Sequence, residues 1–221
     1  MNGDVKTKVG FLGLGVMGLP MSENVIRKSG CEVYGYDVVS EKLEAFSKAG
    51  GHAAASAEEV YTTCDIIMQM LPTHAIIINS VEQAVKYGKK GNIIIDLSSA
   101  APHIILELYP KVKEAGMYLL DSPVSGGNPK AKDGTLAIMT GGDKDIFEKV
   151  KPLLACMGEP VYTAHGSRYL FCPSLQSGSR GQWRKLPVHE RCRLELFRPE
   201  CTGNHQGNKI ESLIRQSPFL Y

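Results

Sequence analysis

The run Val9-Gly-Phe-Leu-Gly13-Leu-Gly15-Val-Met-Gly18 constrains this 221-residue chain more than any other stretch. An apolar run ends there in three spaced glycines, and apolar residues at helical spacing follow over 19–28. A first glycine permits a tight turn. A second lets the backbone approach a pyrophosphate with no Cβ in the way, and a third lets the helix pack closely on the strand. The motif alone is weak, but a strand before it and a helix after it predict a dinucleotide site at Gly13, Gly15, Val16, Met17 and Gly18. The helix start offers N–H groups and partial positive charge to phosphates. The competing reading is a glycine-rich turn with no ligand.

The following residues keep alternating between strand and helix. Strands are expected over 9–14, 32–36, 66–71, 93–97, 117–121, 136–140 and 161–163. Helices are expected over 19–28, 40–49 with Ser40 as N-cap, 56–63, 102–115 and 143–157 with Asp143 as N-cap. Ser56 and Glu59 stand at capping-box spacing. Continuous apolar strands between amphipathic helices require a parallel sheet covered on both faces. Right-handed crossovers then give an α/β, Rossmann-type doubly wound sheet over residues 5–166.

Strand ends mark further site candidates. Asp37 lies 19 residues beyond Gly18, where a carboxylate accepts hydrogen bonds from the adenosine ribose. It would repel a 2′-phosphate, and Val38 and Val39 offer no arginine to receive one, so NAD is favoured over NADP. Asp37 could instead be a cap or turn residue. Leu71-Pro72 and Asp96-Leu-Ser98-Ser99 end two more strands, on the side expected for the nicotinamide. Each reads equally as an ordinary turn.

The charge is uneven. Residues 1–166 carry a net −3, whereas 167–221 carry +5, the one tryptophan (Trp183) and half of the six cysteines. Pro173, Pro187, Pro199 and Pro218 break that tail at short intervals, and only 209–215 could form a weak helix. Such a composition favours a solvated, irregular basic segment over a packed core or a nucleic-acid-binding arm. The cysteines show neither Cys-x-x-Cys pairs nor zinc-finger spacing, so free thiols are expected and no metal. No apolar run reaches membrane-span length, and residues 1–8 resemble no signal or transit segment. A cytoplasmic protein is the expectation.

The string from Phe11 to Asn24, with Met17, Met21 and Asn24 added to the glycines, resembles the 3-hydroxyisobutyrate dehydrogenase family. These are β-hydroxyacid dehydrogenases related to 6-phosphogluconate dehydrogenase. Met70-Leu71-Pro72 is similar to the family's cofactor loop, and Asp121-Ser-Pro-Val-Ser125-Gly126-Gly127 to its substrate loop. Ala131, Gly134 and Met139-Thr-Gly141-Gly142 keep the register, so the resemblance covers about 8–166. It implies NAD(P)-dependent oxidation of a small 3-hydroxy acid, or reduction of its semialdehyde. It also implies that Ser125, Gly126 and Gly127 hold the substrate carboxylate, as a hydroxyl and successive N–H groups can. Ser99 matches the family's residue near the nicotinamide, and Ile76 stands where the family often has an asparagine.

After Gly166 the resemblance implies Gly-x-Gly-x-x-x-Lys-x-x-Asn and an all-helical domain that walls the cleft and forms the dimer interface. Here Ser-Arg-Tyr-Leu-Phe-Cys follows, and the next lysine is Lys185, to which no catalytic role transfers. Losing a positioned acid/base costs roughly 10²–10⁴-fold in rate. The expectation is a family member cut short after its Rossmann domain and carrying an unrelated tail, as from a frameshift, altered splicing or gene-model error. A non-catalytic dinucleotide-binding or interaction module is the alternative.

Overall fold

In the computed structural model, residues 7–163 are described. They fall in the first of two units, Met1–Leu175; the second, Gln176–Tyr221, lies outside the described residues, as do the expected helix over 209–215 and Lys185.

The chain alternates through β1 (Lys8–Leu12), α1 (Gly18–Ser29), β2 (Glu32–Tyr36), α2 (Ser40–Lys48), β3 (His52–Ala53), α3 (Ala57–Thr63), β4 (Ile66–Gln69), α4 (His74–Tyr87), β5 (Ile93–Asp96), α5 (Pro102–Glu114) and β6 (Tyr118–Asp121). Six parallel strands lie in the order β3-β2-β1-β4-β5-β6. The order is that of a doubly wound sheet, the arrangement expected. Strand residues alternate between two cores: Val9, Phe11, Met68, Ile95 and Leu120 face one, and Leu12, Ile67, Ile94 and Leu119 the other. Burial on both faces explains the unbroken apolar runs.

A second sheet was not foreseen. It consists of β7 (Val124–Ser125), β8 (Leu136–Thr140) and β9 (Gly158–Tyr162), with α6 (Gly127–Asp133) and α7 (Lys144–Leu154) between them. β7 runs antiparallel to β8, and β9 parallel to it. The strand expected at 161–163 therefore starts at Gly158. An antiparallel bridge between Asp121 and Gly141 joins the two sheets.

Helix ends follow local chemistry, with two corrections. Ser56 accepts the Glu59 N–H at 3.2 Å, while Glu59 reaches back to the Ala55 N–H at 2.7 Å. At α2 the N-cap is Val39, not Ser40, whose hydroxyl turns to Glu41 instead. Asp143 is the N-cap of α7, but its carboxylate accepts the Tyr109 hydroxyl at 3.0 Å rather than an α7 N–H, tying α7 to α5. Helix α4 had no counterpart in the sequence reading. Thr73 caps it by accepting the Ile76 N–H at 3.3 Å, and Ile77, Val81 and Ala84 form its buried stripe. Cys31, Cys64 and Cys156 are free thiols. No helix among the described residues is long and apolar enough to cross a membrane.

Candidate functional site

Between β1 and β4 the strand order reverses, and in open α/β sheets ligands lie outside the strand ends at such a point. The glycine turn sits there, and its three glycines have different reasons to be glycine. Gly13 has φ +86°, and a Cβ on it would stand 2.3 Å from the Met70 carbonyl. A Cβ on Gly18 would stand 1.9 Å from the Gly13 carbonyl. Turn geometry and helix packing thus account for both. Gly15 has neither constraint: its φ is ordinary, and beyond its chain neighbours no atom of the described residues lies within 4 Å of the Cβ position. Gly15 and Val16 are exposed, and the N–H groups of Gly15, Val16 and Met17 have no hydrogen-bond partner among the described residues. Helix α1 has no side-chain cap and no acidic residue in its first turn. The glycine without a folding reason therefore faces open space beside unpaired donors, a cradle suited to phosphate.

Asp37 belongs to this turn directly. One carboxylate oxygen accepts the Leu14 N–H at 2.7 Å and the other the Val39 N–H at 3.0 Å. The turn role left open in the sequence is thus realised. A carboxylate oxygen with one partner keeps capacity for another, so the ribose role remains available.

The loops after the neighbouring strands β4 and β5 are joined to each other. Leu71 donates its N–H to the Ser98 hydroxyl oxygen at 2.9 Å, and Ala101 donates to His74 Nε2 at 3.3 Å. Pro72 and Ser99 are exposed, and Leu71 is half-buried. Beneath them Gln69 and Asp96 pair in register and are fully covered. Ser80 donates to Gln69 Oε1 at 2.7 Å and shares a 2.8 Å hydrogen bond with Tyr61. Asp96 Oδ1 accepts the Ser98 N–H at 3.1 Å. Burial pushes the Asp96 carboxyl up; the Ser98 hydroxyl and N–H, the Gln69 amide and His74 oppose this. The sequence marked Asp96 and Ser98 only as a strand end, and this polar layer escaped it.

Ser125, Gly126 and Gly127 are exposed at the start of α6. Gly126 (φ +140°) and Gly127 (φ +70°) need glycine, and the Lys130 methylenes fill the place of a Gly126 Cβ, the nearest at 2.6 Å. Asn128 brings this loop to the glycine turn, donating to the Val16 carbonyl at 2.5 Å. No periodicity or motif in the sequence marked that bridge. Asn24 is buried and donates to the Ala131 and Lys132 carbonyls, at 2.8 and 3.2 Å, so it locks α1 to α6. The glycine turn, Asp37, Leu71, Pro72 and Ser99 thus follow the ends of β1, β2, β4 and β5, and Asn128 ties the Ser125–Gly127 loop of the second sheet to that turn, whereas Ile76 is exposed on the first turn of α4.

Residues 8–166 match the family model described as the NAD binding domain of 6-phosphogluconate dehydrogenase. The chain is 36% identical over 158 residues to 2-(hydroxymethyl)glutarate dehydrogenase of Eubacterium barkeri, covering 70% of this chain and 52% of that protein. It is 40% identical over 159 residues to human mitochondrial 3-hydroxyisobutyrate dehydrogenase, covering 71% and 47%. Among solved structures, the Mycobacterium tuberculosis 3-hydroxyisobutyrate dehydrogenase with L-serine superposes with a TM-score of 0.73 at 29% identity, covering 78% and 60%. The chain spans about half the length of the curated relatives it matches.

Proposed function

Because the chain belongs, through residues 8–166, to the family of the NAD binding domain of 6-phosphogluconate dehydrogenase, we propose that it holds a nicotinamide dinucleotide at the end of its six-stranded sheet. In this reading it supplies the cofactor half of a dehydrogenase for a small 3-hydroxy acid or the matching semialdehyde. The observation that carries it is Gly15, whose side-chain position meets no neighbouring atom among the described residues, beside N–H groups with no partner among them. Gly13, Gly15, Val16, Met17 and Gly18 would take the pyrophosphate. Asp37 would take the ribose, with Leu71, Pro72 and Ser99 flanking the nicotinamide half. The negative charge of Asp37 supports NAD over NADP. A bound nicotinamide supplies hydride acceptance or donation; this chain supplies binding and orientation.

Ser125, Gly126 and Gly127 would receive the substrate carboxylate. The Asn128–Val16 bond supports this by bringing their loop to the cofactor turn. We place the dinucleotide domain at 5–166 and a separate basic segment at 167–221. A cytoplasmic setting rests on the sequence reading alone, and six of the relatives are named as mitochondrial.

The second reading is dinucleotide binding without turnover. It is favoured by Ser-Arg-Tyr-Leu-Phe-Cys after Gly166, in place of the lysine motif that the family resemblance implies. Calorimetric titration of the full chain with NADH and NADPH, then assay with 3-hydroxyisobutyrate and NAD, separates the readings. Tighter NADH binding with turnover supports the first, and binding alone the second. A chain that binds neither nucleotide refutes both.

A further inference from the structure

We propose that Asp96 is the positioning residue of the β4 and β5 loops: it orients Ser98, whose hydroxyl holds the Leu71 N–H on the side assigned to the nicotinamide. The proposal rests on the reading of the crevice as a dinucleotide site.

Asp96 ends β5 with 0% exposure and makes no ion pair among the described residues. A buried carboxyl without a cation is costly, and aliphatic residues serve at the neighbouring buried positions Ile95 and Leu97. Its place in the sheet thus calls for a polar task. That task is visible in Ser98, which is 1% exposed and acts at both ends. Its N–H donates to Asp96 Oδ1, and its oxygen accepts from Leu71. With Leu71 on the oxygen, the Ser98 hydroxyl proton remains free to donate.

The surroundings hold polarity in excess of what the sheet needs. Asp96 Oδ2, Gln69 Nε2 and Ser122 Oγ are buried without a regular hydrogen bond. Ser122 is bound to the same residue, its N–H donating to the Asp96 carbonyl at 2.7 Å. Leu71 is the first residue past the ladder that Met70 closes on Leu12. Ser98 is therefore what fixes the chain as it leaves β4. An asparagine at position 96 keeps the oxygen that Ser98 needs, whereas an alanine does not.

The test uses the full chain with Asp96→Ala, Asp96→Asn and Ser98→Ala. Amide hydrogen exchange without nucleotide should show Leu71 exchanging about tenfold faster in Asp96→Ala and Ser98→Ala, and near wild type in Asp96→Asn. Met70, bonded to the Leu12 carbonyl, should stay unchanged. In calorimetry, NADH affinity should fall about tenfold in the two alanine variants while ADP-ribose affinity holds within about twofold. Ser98→Ala keeps the carboxyl and serves if Asp96→Ala does not fold. Equal losses for NADH and ADP-ribose, or Met70 and Leu71 quickening together, would show a merely structural role and overturn the proposal. Unchanged Leu71 exchange overturns it alone. A wild-type chain that binds neither nucleotide overturns the dinucleotide reading, and with it the role given to these loops.

Discussion

Replacing Gly15 by alanine should separate folding from binding. The new methyl would enter open space at an ordinary backbone φ, so nothing among the described residues opposes it. Removing a glycine where its conformation is not needed stabilises by about 0.4–1 kcal/mol, through the lost entropy of the unfolded chain. The same methyl would enter the space beside the N–H groups of Gly15, Val16 and Met17, which have no partner among the described residues. Blocking one charge-assisted hydrogen bond there costs about 1.5–3 kcal/mol of affinity, roughly tenfold to a hundredfold. Gly18→Ala is the contrasting control. Its Cβ would stand 1.9 Å from the Gly13 carbonyl, so backbone must move, costing about 1–3 kcal/mol or more of stability. Urea unfolding and NADH calorimetry on both variants read the two quantities. A Gly15→Ala protein that is clearly destabilised, or that binds NADH as well as wild type, would refute the argument that this glycine is reserved for a ligand.

Asp37→Asn would set an amide NH₂ against either the Leu14 or the Val39 N–H. A loss of about 1–3 kcal/mol in stability is expected, with a higher ratio of NADPH to NADH affinity; an unchanged ratio counts against charge as the selector. For Asp96, burial raises the folded-state carboxyl above its unfolded value of about 3.9. Between those two values the folded state holds the extra proton, so wild-type stability falls as pH rises from about 4 and levels off above the raised value. Asp96→Asn does not titrate and should gain on wild type across that window; chemical denaturation showing a constant difference from about pH 4 to 8 would contradict the burial effect. Burial pushes the Cys64 thiol up to about 12, helped by Asp65 and opposed by Lys8. Alkylation mapped by mass spectrometry near pH 8 should therefore label half-buried Cys31 well before Cys64, and equal rates would show that this site opens readily.

The fold was legible wherever local pattern and tertiary environment agree. Ile66–Gln69 and Ile93–Asp96 are short apolar stretches because both faces of a parallel sheet are covered, and that signal survives in sequence. Helix α4 was lost because its first turn, Ala75-Ile-Ile-Ile78, reads as a strand-like run. Its Thr73 cap and its Ile77–Val81–Ala84 spacing were the signals that would have found it. β7 pairs through only two residues, and α6 opens on two glycines of positive φ. Neither carries enough local periodicity to stand out. Ser40 was mistaken for a cap because residue type marks an N-cap only to within a position or so.

The sequence alone determined that a glycine turn would join a strand to a helix in a parallel α/β sheet, since spacing and apolar pattern are local properties. It could not distinguish the glycines. Only the tertiary structure decided that Gly13 yields to the Met70 carbonyl, that Gly18 yields to the Gly13 carbonyl, and that Gly15 yields to nothing among the described residues. The same holds for Asn24, a motif residue that locks α1 to α6, and for Asn128, which no motif marked. Each role depends on which distant backbone lies opposite, and the packing of the sheet and its helices sets that distance.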